Sequence, residues 1–172
     1  MTDRPTGAVT FLFTDVEGST RLWDAHPDAM RSALAGHDAV LRETIESAAG
    51  YVFSTAGDAF SAAFSDPAAA VRAALDAQLR FAEATWDQVG SLNVRMAIHS
   101  GVAHERDGDY FGPALNRTAR ILSAAHGAQV LVSLGTQELL GSGLPEGVGL
   151  QDLGEHQLKD LARAERLYQL TH

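Results

Sequence analysis

The 172-residue chain contains no cysteine. This absence excludes a disulfide scaffold, a thiol nucleophile and a cysteine-ligated zinc site. Aromatic residues are also few, at 7%, although aliphatic side chains bring the hydrophobic share to 45%, against 20% charged residues. That balance is typical of a folded globular protein, and the length predicts one domain over residues 1–172.

Positive charge is scarce as well. The chain has 13 Lys and Arg against 22 Asp and Glu, so its formal net charge is −9 with histidine neutral. An acidic chain of this kind repels a phosphate backbone unless it carries a basic patch or metal ions. Nucleic acid is therefore not an expected partner.

Long hydrophobic runs are missing from the sequence. No stretch reaches the roughly 18 apolar residues that a membrane helix needs. The segment Met1–Thr6 is polar, and the apolar run Ala8–Phe13 is followed closely by Asp15, which is too early for a signal peptide. These features predict a cytoplasmic protein with no membrane segment.

The hydrophobic pattern predicts an α+β fold. The segment Gly7–Thr14 is rich in β-branched and aromatic residues and is predicted to be a strand. A loop at Asp15–Thr20 follows, and then a helix that has Pro27 in its first turn and ends at Gly50. The elements expected next are a hairpin (Tyr51–Thr55 and Ala59–Phe64), a helix capped by Asp66 with an apolar stripe from Val71 through Leu79 and Ala82 to Trp86, and a strand (Asn93–Val102). This order is a ferredoxin-like βαββαβ core.

A C-terminal α/β extension follows that core. It is predicted to contain a helix over Gly112–Ala125, a strand over Gln129–Ser133, a short helix over Thr136–Leu140 and two or three strands between Val148 and Leu170. Since fold alone does not give function, function has to be argued from individual side chains.

Two carboxylates, those of Asp15 and Asp58, are predicted to lie close together and to bind a cation. Asp15 follows the first strand and Asp58 lies at the hairpin turn, and these elements are neighbours in a ferredoxin-like sheet. Two close carboxylates repel unless one takes up a proton or a cation binds both, and hard oxygen ligands suit Mg²⁺ or Mn²⁺. The backbone N–H groups of Gly18, Ser19 and Thr20 favour an anion at a helix start. An Asx turn or helix cap at Asp15 and a plain turn glycine at Gly18 are the alternatives.

Asn116 and Arg120 form a second candidate pair. They are four residues apart on a predicted helix and therefore share one face. The pair suits ligand binding, and a solvated helix face is the alternative.

In this order, the motifs resemble those of the class III nucleotidyl cyclase catalytic domain, especially its actinobacterial, mycobacterial-like branch. Phe13–Thr20 resembles the first metal motif of that family, and Thr55–Asp58 resembles the second. The segment Asp109–Gly112, with Asn116 and Arg120 beyond it, resembles the motif for base recognition and transition-state binding. Leu158–Asp160 resembles the tail motif whose lysine, here Lys159, meets the triphosphate.

The resemblance implies an adenylyl cyclase, a phosphorus–oxygen lyase that converts ATP to 3′,5′-cyclic AMP and pyrophosphate with two Mg²⁺ or Mn²⁺ ions per site. Asp15, Asp58 and the carbonyl of Val16 would be the metal ligands. Arg120 would stabilise the transition state and Asn116 would position the ribose. It also implies a homodimer with two shared active sites.

The sequence departs from the family pattern at three places. Ser54 stands where adenylyl cyclases usually carry an adenine-reading lysine, while its usual partner, Asp109, is kept. The arm between Gly101 and Asp109 is shorter than in many relatives, which predicts a weak or substrate-dependent dimer. Val102 stands where some relatives have a phosphate-binding arginine.

Other functions remain open on this basis. A degenerate cyclase domain could bind nucleotide or a partner domain without turnover, and a cyclase with relaxed ATP/GTP specificity also fits Ser54. The segment Ala56–Phe60 weakly resembles the signature of diguanylate cyclases, a third class of function for this chain. Structural or surface roles are expected for His99, His104, His126 and His156, and core positions for Trp23 and Trp86.

Overall fold

A computed structural model describes residues 4–172, so Met1–Asp3, the start of the polar segment, lie outside the described residues. Over this range the chain forms an eight-stranded sheet and five α-helices. The elements in chain order are β1 (Gly7–Val16), α1 (Ser19–Ala25), α2 (Pro27–Ser47), β2 (Tyr51–Ala56), β3 (Ala59–Phe64), α3 (Pro67–Glu83), a 3₁₀-helix (Asp87–Val89), β4 (Val94–Arg106), β5 (Asp109–Phe111), α4 (Pro113–Ala124), β6 (Val130–Ser133), α5 (Leu134–Leu140), β7 (Gly149–His156) and β8 (Glu165–Thr171).

The sheet confirms the predicted ferredoxin-like core and its extension. Its strand order is β2-β3-β1-β4-β6-β8-β7, with β5 paired to β4. The first four of these strands are antiparallel neighbours and alternate with helices as βαββαβ. Strand β6 then adds parallel to β4, and β7 and β8 extend the sheet beyond it.

Strand β1 is central and is covered on both faces. Leu12 and Met96 belong to a large core that includes the buried sides of α2 and α3. Phe11, which alternates with Leu12, packs on the other face against Tyr110 of β5 and Ala114 of α4. The β4–β5 hairpin and α4 are therefore held on the face opposite to α2 and α3.

The first strand is longer than the sequence pattern predicts. Strand β1 continues through Asp15 to Val16, because these residues pair with Arg95 and Val94 of β4. The side chain of Asp15 also pairs with that of Arg95, which removes the penalty for a carboxylate inside a strand. The expected loop Asp15–Thr20 shrinks accordingly, and α1 already begins at Ser19.

Two helix ends show where the sequence pattern succeeds and fails. Asp66 caps α3 as predicted, since its carboxylate accepts from the backbone amide of Ala68 at 3.0 Å. At the end of α2 the left-handed residue is Ala49, with φ +63°, rather than Gly50. Gly50 serves close packing instead, because a Cβ there would lie 2.5 Å from the Phe64 ring.

The predicted apolar stripe of α3 is wrong in part. Leu79 and Ala82 are exposed, and Trp86 is buried but lies beyond the helix end at Glu83. The face that α3 buries is formed mainly by small side chains: Ala69, Ala70, Val71, Ala73, Ala74, Ala77 and Phe81. Within residues 4–172, none of the helices is long and apolar enough to cross a membrane.

Candidate functional site

Asp15 is bound by an arginine that directly faces it on the next strand. Arg95 Nε donates to Asp15 Oδ1 at 2.7 Å, and Arg95 Nη2 donates to Asp15 Oδ2 at 2.5 Å. Both side chains are about one quarter exposed, at 25% for Arg95 and 23% for Asp15. The hydrogen bonds to Asp15 raise the pKa of Arg95 despite partial desolvation. Parallel N–H···O bonds of this kind are among the strongest side-chain contacts.

Asp58 comes to the same edge of the sheet. It lies at the turn between β2 and β3, and its Oδ2 accepts from the backbone amide of Val16 at 2.7 Å. Because Val16 follows Asp15 directly, Asp58 is bonded to the residue next to Asp15 at the end of β1. The negative charges of Asp58 and Glu17 also raise the pKa of Arg95, though less than Asp15 does.

The segment after Asp15 is fixed at several points. Glu17 accepts from the backbone amide of Gly127 through Oε2 at 3.0 Å, and its own amide donates to the Asn93 carbonyl at 2.9 Å. Gly18 has φ +69°, a left-handed conformation that suits glycine. Ser19 and Thr20 then begin α1, so only Glu17 and Gly18 separate this helix from β1.

The second candidate pair lies on α4. Asn116 is exposed, while Arg120 is half-buried and donates from Nη2 to Asp160 at 2.8 Å. Arg120 Nε is buried and has no hydrogen-bond partner among the described residues. Lys159, the neighbour of Asp160, is exposed.

Asn116, Arg120 and Lys159 are thus brought into one region of the chain. Among residues 4–172, no hydrogen bond or ion pair joins this group to Asp15 or Asp58.

Ser54 and Asp109 lie on neighbouring elements. Ser54 is exposed on β2 opposite Ser61, next to an irregularity in the strand register. Asp109 is exposed at the start of β5, where its carboxylate accepts from the amide of Tyr110 at 2.8 Å. Tyr51 of β2 donates from its hydroxyl to the Gly108 carbonyl at 3.0 Å and so ties β2 to the β4–β5 hairpin.

That hairpin turn follows from its sequence. Asp107 and Gly108 have φ +54° and +84°, and Asp-Gly is a favoured pair where both central residues of a tight turn need positive φ. The hairpin leaves Val102 and Phe111 exposed, at 68% and 50%. The β4–β5 hairpin therefore presents two apolar side chains to solvent.

The carboxylate edge fits divalent cations in its chemistry. Its ligand atoms are the hard carboxylate oxygens of Asp15 and Asp58. The guanidinium of Arg95 already binds Asp15, so positive charge is stabilised at this position. In the part of the chain that is described, no group of three or more acidic or histidine side chains forms a complete metal cage. Mg²⁺ is commonly held by one or two carboxylates with water and phosphate oxygens completing its shell.

His99, Trp86 and Trp23 pack in or against the interior of the fold, as the sequence predicts for structural residues. His99 is buried, and its Nδ1 lies 2.7 Å from Ser133 Oγ. Burial, aided by the nearby charge of Arg117, lowers the pKa of His99 to about 4. Trp86 donates from its indole nitrogen to the Phe81 carbonyl, and Trp23 packs against the large core.

The sequence motifs assign no role to Arg95 or Asp160, although both side chains form ion pairs with proposed site residues. The signal for Arg95 is its place in an alternating strand, opposite in phase to the buried Val94 and Met96 and on the strand that pairs with β1. Its partner depends on strand register, which the sequence pattern leaves undefined. Asp160 has φ +64° and lies beside Lys159 in the tail motif.

Comparison with known proteins places these features in a family. The model for the adenylate and guanylate cyclase catalytic domain matches residues 1–172. An uncharacterized protein of Mycobacterium tuberculosis is 40% identical over 170 residues, which cover 98% of this chain and 57% of that protein. The receptor-type adenylate cyclase GRESAG 4.3 of Trypanosoma brucei is 33% identical over 209 aligned residues, which cover 97% of this chain and 17% of that protein.

The fold agrees with these matches. A solved structure of an adenylate cyclase from Trypanosoma brucei in its monomeric state superposes with a TM-score of 0.89 at 31% identity, covering 98% of this chain and 91% of that one. The chain spans little more than half the length of the mycobacterial relative. The match over its whole length shows that the chain belongs to the adenylate and guanylate cyclase catalytic domain family.

Proposed function

We propose that this chain is an adenylyl cyclase that converts ATP to 3′,5′-cyclic AMP and pyrophosphate. The observation that carries the proposal is the meeting of Asp15 and Asp58 at one sheet edge, joined through the Val16 amide, in a chain of the cyclase family. Relatives at 33% identity that carry the name adenylate cyclase favour ATP as the substrate. The retained Asp109 supports the same choice, because a carboxylate accepts from the adenine amino group.

Asp15, Asp58 and the Val16 carbonyl would hold two Mg²⁺ or Mn²⁺ ions. Such ions supply charge neutralisation for the triphosphate and lower the pKa of the ribose 3′-hydroxyl. The chain's own groups do the remaining work. Asp15 and Asp58 fix the place of the reacting oxygen, and the amides of Gly18, Ser19 and Thr20 border the triphosphate.

Arg120 stabilises the negative charge that develops on the α-phosphate as the 3′-oxygen attacks and pyrophosphate leaves. The Arg120 side chain is 30% exposed, so part of the guanidinium is accessible to a ligand. Asn116 orients the ribose, and Lys159 contacts the terminal phosphates. Electrostatic and positioning contributions of this kind are each worth about 3 kcal/mol.

A homodimer with shared sites completes this proposal. Among the described residues, no hydrogen bond or ion pair joins the two functional groups of one chain. A head-to-tail pair would bring Asn116 and Arg120 of one protomer to Asp15 and Asp58 of the other. The exposed Val102 and Phe111 on the hairpin arm provide apolar surface for such an interface. We place the reaction in the cytoplasm, where ATP and Mg²⁺ are available.

Purified protein incubated with ATP or GTP and Mn²⁺ or Mg²⁺ tests the proposal. The expected result is cyclic AMP from ATP and less cyclic GMP from GTP. Activity should fall by at least about 100-fold in Asp58→Asn and Arg120→Ala. Glu46→Gln and Arg31→Ala are matched controls, because both side chains are exposed on α2, which carries none of the proposed site residues. A lack of cyclic product from either nucleotide at high protein concentration overturns the enzyme assignment.

A nucleotide-binding domain without turnover is the second candidate function. Ser54 favours it, because a short neutral side chain replaces the usual base-reading lysine. That candidate predicts ATP binding by calorimetry with no cyclic product. A cyclase with relaxed specificity instead predicts comparable product from ATP and GTP.

A further inference from the structure

Arg95 holds both oxygens of the carboxylate proposed to bind metal. Its Nε and Nη2 donate to Oδ1 and Oδ2 of Asp15 at 2.7 and 2.5 Å. A carboxylate offers about four lone-pair directions, and a fork of this kind uses two of them. The guanidinium therefore lies at a carboxylate that the proposed ions also need.

This cation cannot be removed by deprotonation. The pKa of Arg95 is raised by its hydrogen bonds to Asp15 and by the charges of Glu17 and Asp58, and arginine stays charged in proteins in any case. The Arg95 side chain is only 25% exposed, so solvent screening is reduced. Asp15 and Asp58 with Arg95 carry a net charge of −1, where the two carboxylates alone would carry −2.

We propose that Arg95 competes with divalent metal for Asp15 and thereby keeps metal affinity low in the nucleotide-free protein. A metal ion and the guanidinium repel each other and share the same carboxylate. Nucleotide overcomes this competition, because its phosphates add ligands and negative charge at the same edge. The domain then takes up the ion together with its substrate. This inference rests on the proposed function for the identity of the metal site.

Arg95→Met provides the direct test, because it keeps an unbranched side chain of similar reach and removes the charge. Binding of Mn²⁺ alone is followed through the electron paramagnetic resonance signal of the free ion. Water-screened repulsion between a dication and a monocation about 5 Å apart corresponds to roughly a tenfold change in dissociation constant. Arg95→Met should therefore bind Mn²⁺ at least about tenfold more tightly than the unaltered protein.

Matched variants separate competition from a general charge effect. Arg31→Met removes an exposed arginine of α2 and should leave Mn²⁺ affinity unchanged. Adding Asp15→Asn to Arg95→Met should cancel the gain. If Arg95→Met binds Mn²⁺ equally or more weakly, Arg95 supports Asp15 as a positioning residue and the competition is refuted.

A second measurement needs no variant, so it holds even if Arg95→Met fails to fold. The Nε–H of Arg95 should give a nitrogen–proton resonance protected by its bond to Asp15 in metal-free protein. Saturating Mg²⁺ should shift that resonance and speed its exchange with water, and an unchanged resonance at saturation refutes the proposal. Neither measurement depends on turnover, so a failed cyclase assay and a failed competition test are distinguishable.

Discussion

Burial of His99 should make the stability of this fold depend on pH in a specific direction. The side chain is 8% exposed, and its pKa is lowered from 6.5 to about 4, chiefly by desolvation and secondarily by Arg117. A histidine with a lowered pKa binds fewer protons in the folded state than in the unfolded state. Its contribution is therefore fully favourable above pH 6.5 and is lost as the pH falls from about 6.5 towards 4.

The size of the effect follows from the two pKa values. At pH 5 the unfolded histidine is almost fully protonated and the folded one is almost neutral, which costs about 2 kcal/mol relative to pH 7.5. Below pH 4 the loss levels off at about 3 kcal/mol, since both states are then protonated. His99→Gln keeps a hydrogen-bonding group near Ser133 and cannot titrate.

Urea unfolding at pH 7.5, 6.5, 5.5 and 5.0 provides the assay. The free energy of unfolding should fall more steeply with acid in the unaltered protein than in His99→Gln, by about 2 kcal/mol over this range. The comparison removes the contributions of the other six histidines, which both proteins share. Equal slopes in the two proteins, or an imidazole titration near pH 6.5 by NMR, would refute the reasoning.

Three further outcomes are expected. Asp160→Asn should change the cyclase rate by less than about fivefold, because a partly exposed ion pair with Arg120 is worth at most about 1 kcal/mol. Steady-state kinetics measure this change, and a loss as large as that of Arg120→Ala would contradict the prediction. Gly50→Ala should destabilise the fold by about 1–3 kcal/mol, because its Cβ would meet the Phe64 ring at 2.5 Å; an unchanged urea midpoint would exclude that clash. Ser54→Lys should raise the ratio of ATP to GTP turnover without altering the melting temperature, since Ser54 is exposed; an unchanged ratio would remove Ser54 from base selection.

The sequence predicts the sheet core well because its signals are strong and local. The alternation in β4, the hairpin around Gly57 and the cap at Asp66 each have a direct physical cause, and together they specify the βαββαβ order. Once that order is known, the approach of Asp15 and Asp58 follows from strand adjacency.

The remaining differences depend on long-range packing. The pairing of Asp15 with Arg95 depends on strand register between positions 80 residues apart. The sequence pattern places Leu79 on a buried stripe, but Leu79 is exposed. The face that α3 packs against the core consists mainly of alanines, whose small side chains allow close packing. Ala49 takes the left-handed conformation because Gly50 is needed where Phe64 and Ile45 leave no room for a Cβ.

Activity in mixtures of two inactive variants tests the shared-site cyclase most directly. Asp58→Asn and Arg120→Ala should each be inactive with ATP and Mn²⁺. An equal mixture should regain about a quarter of the activity of the unaltered protein, because half of the dimers are mixed and each mixed dimer has one intact site. No recovery in a mixture that demonstrably exchanges subunits would contradict a site built from two protomers.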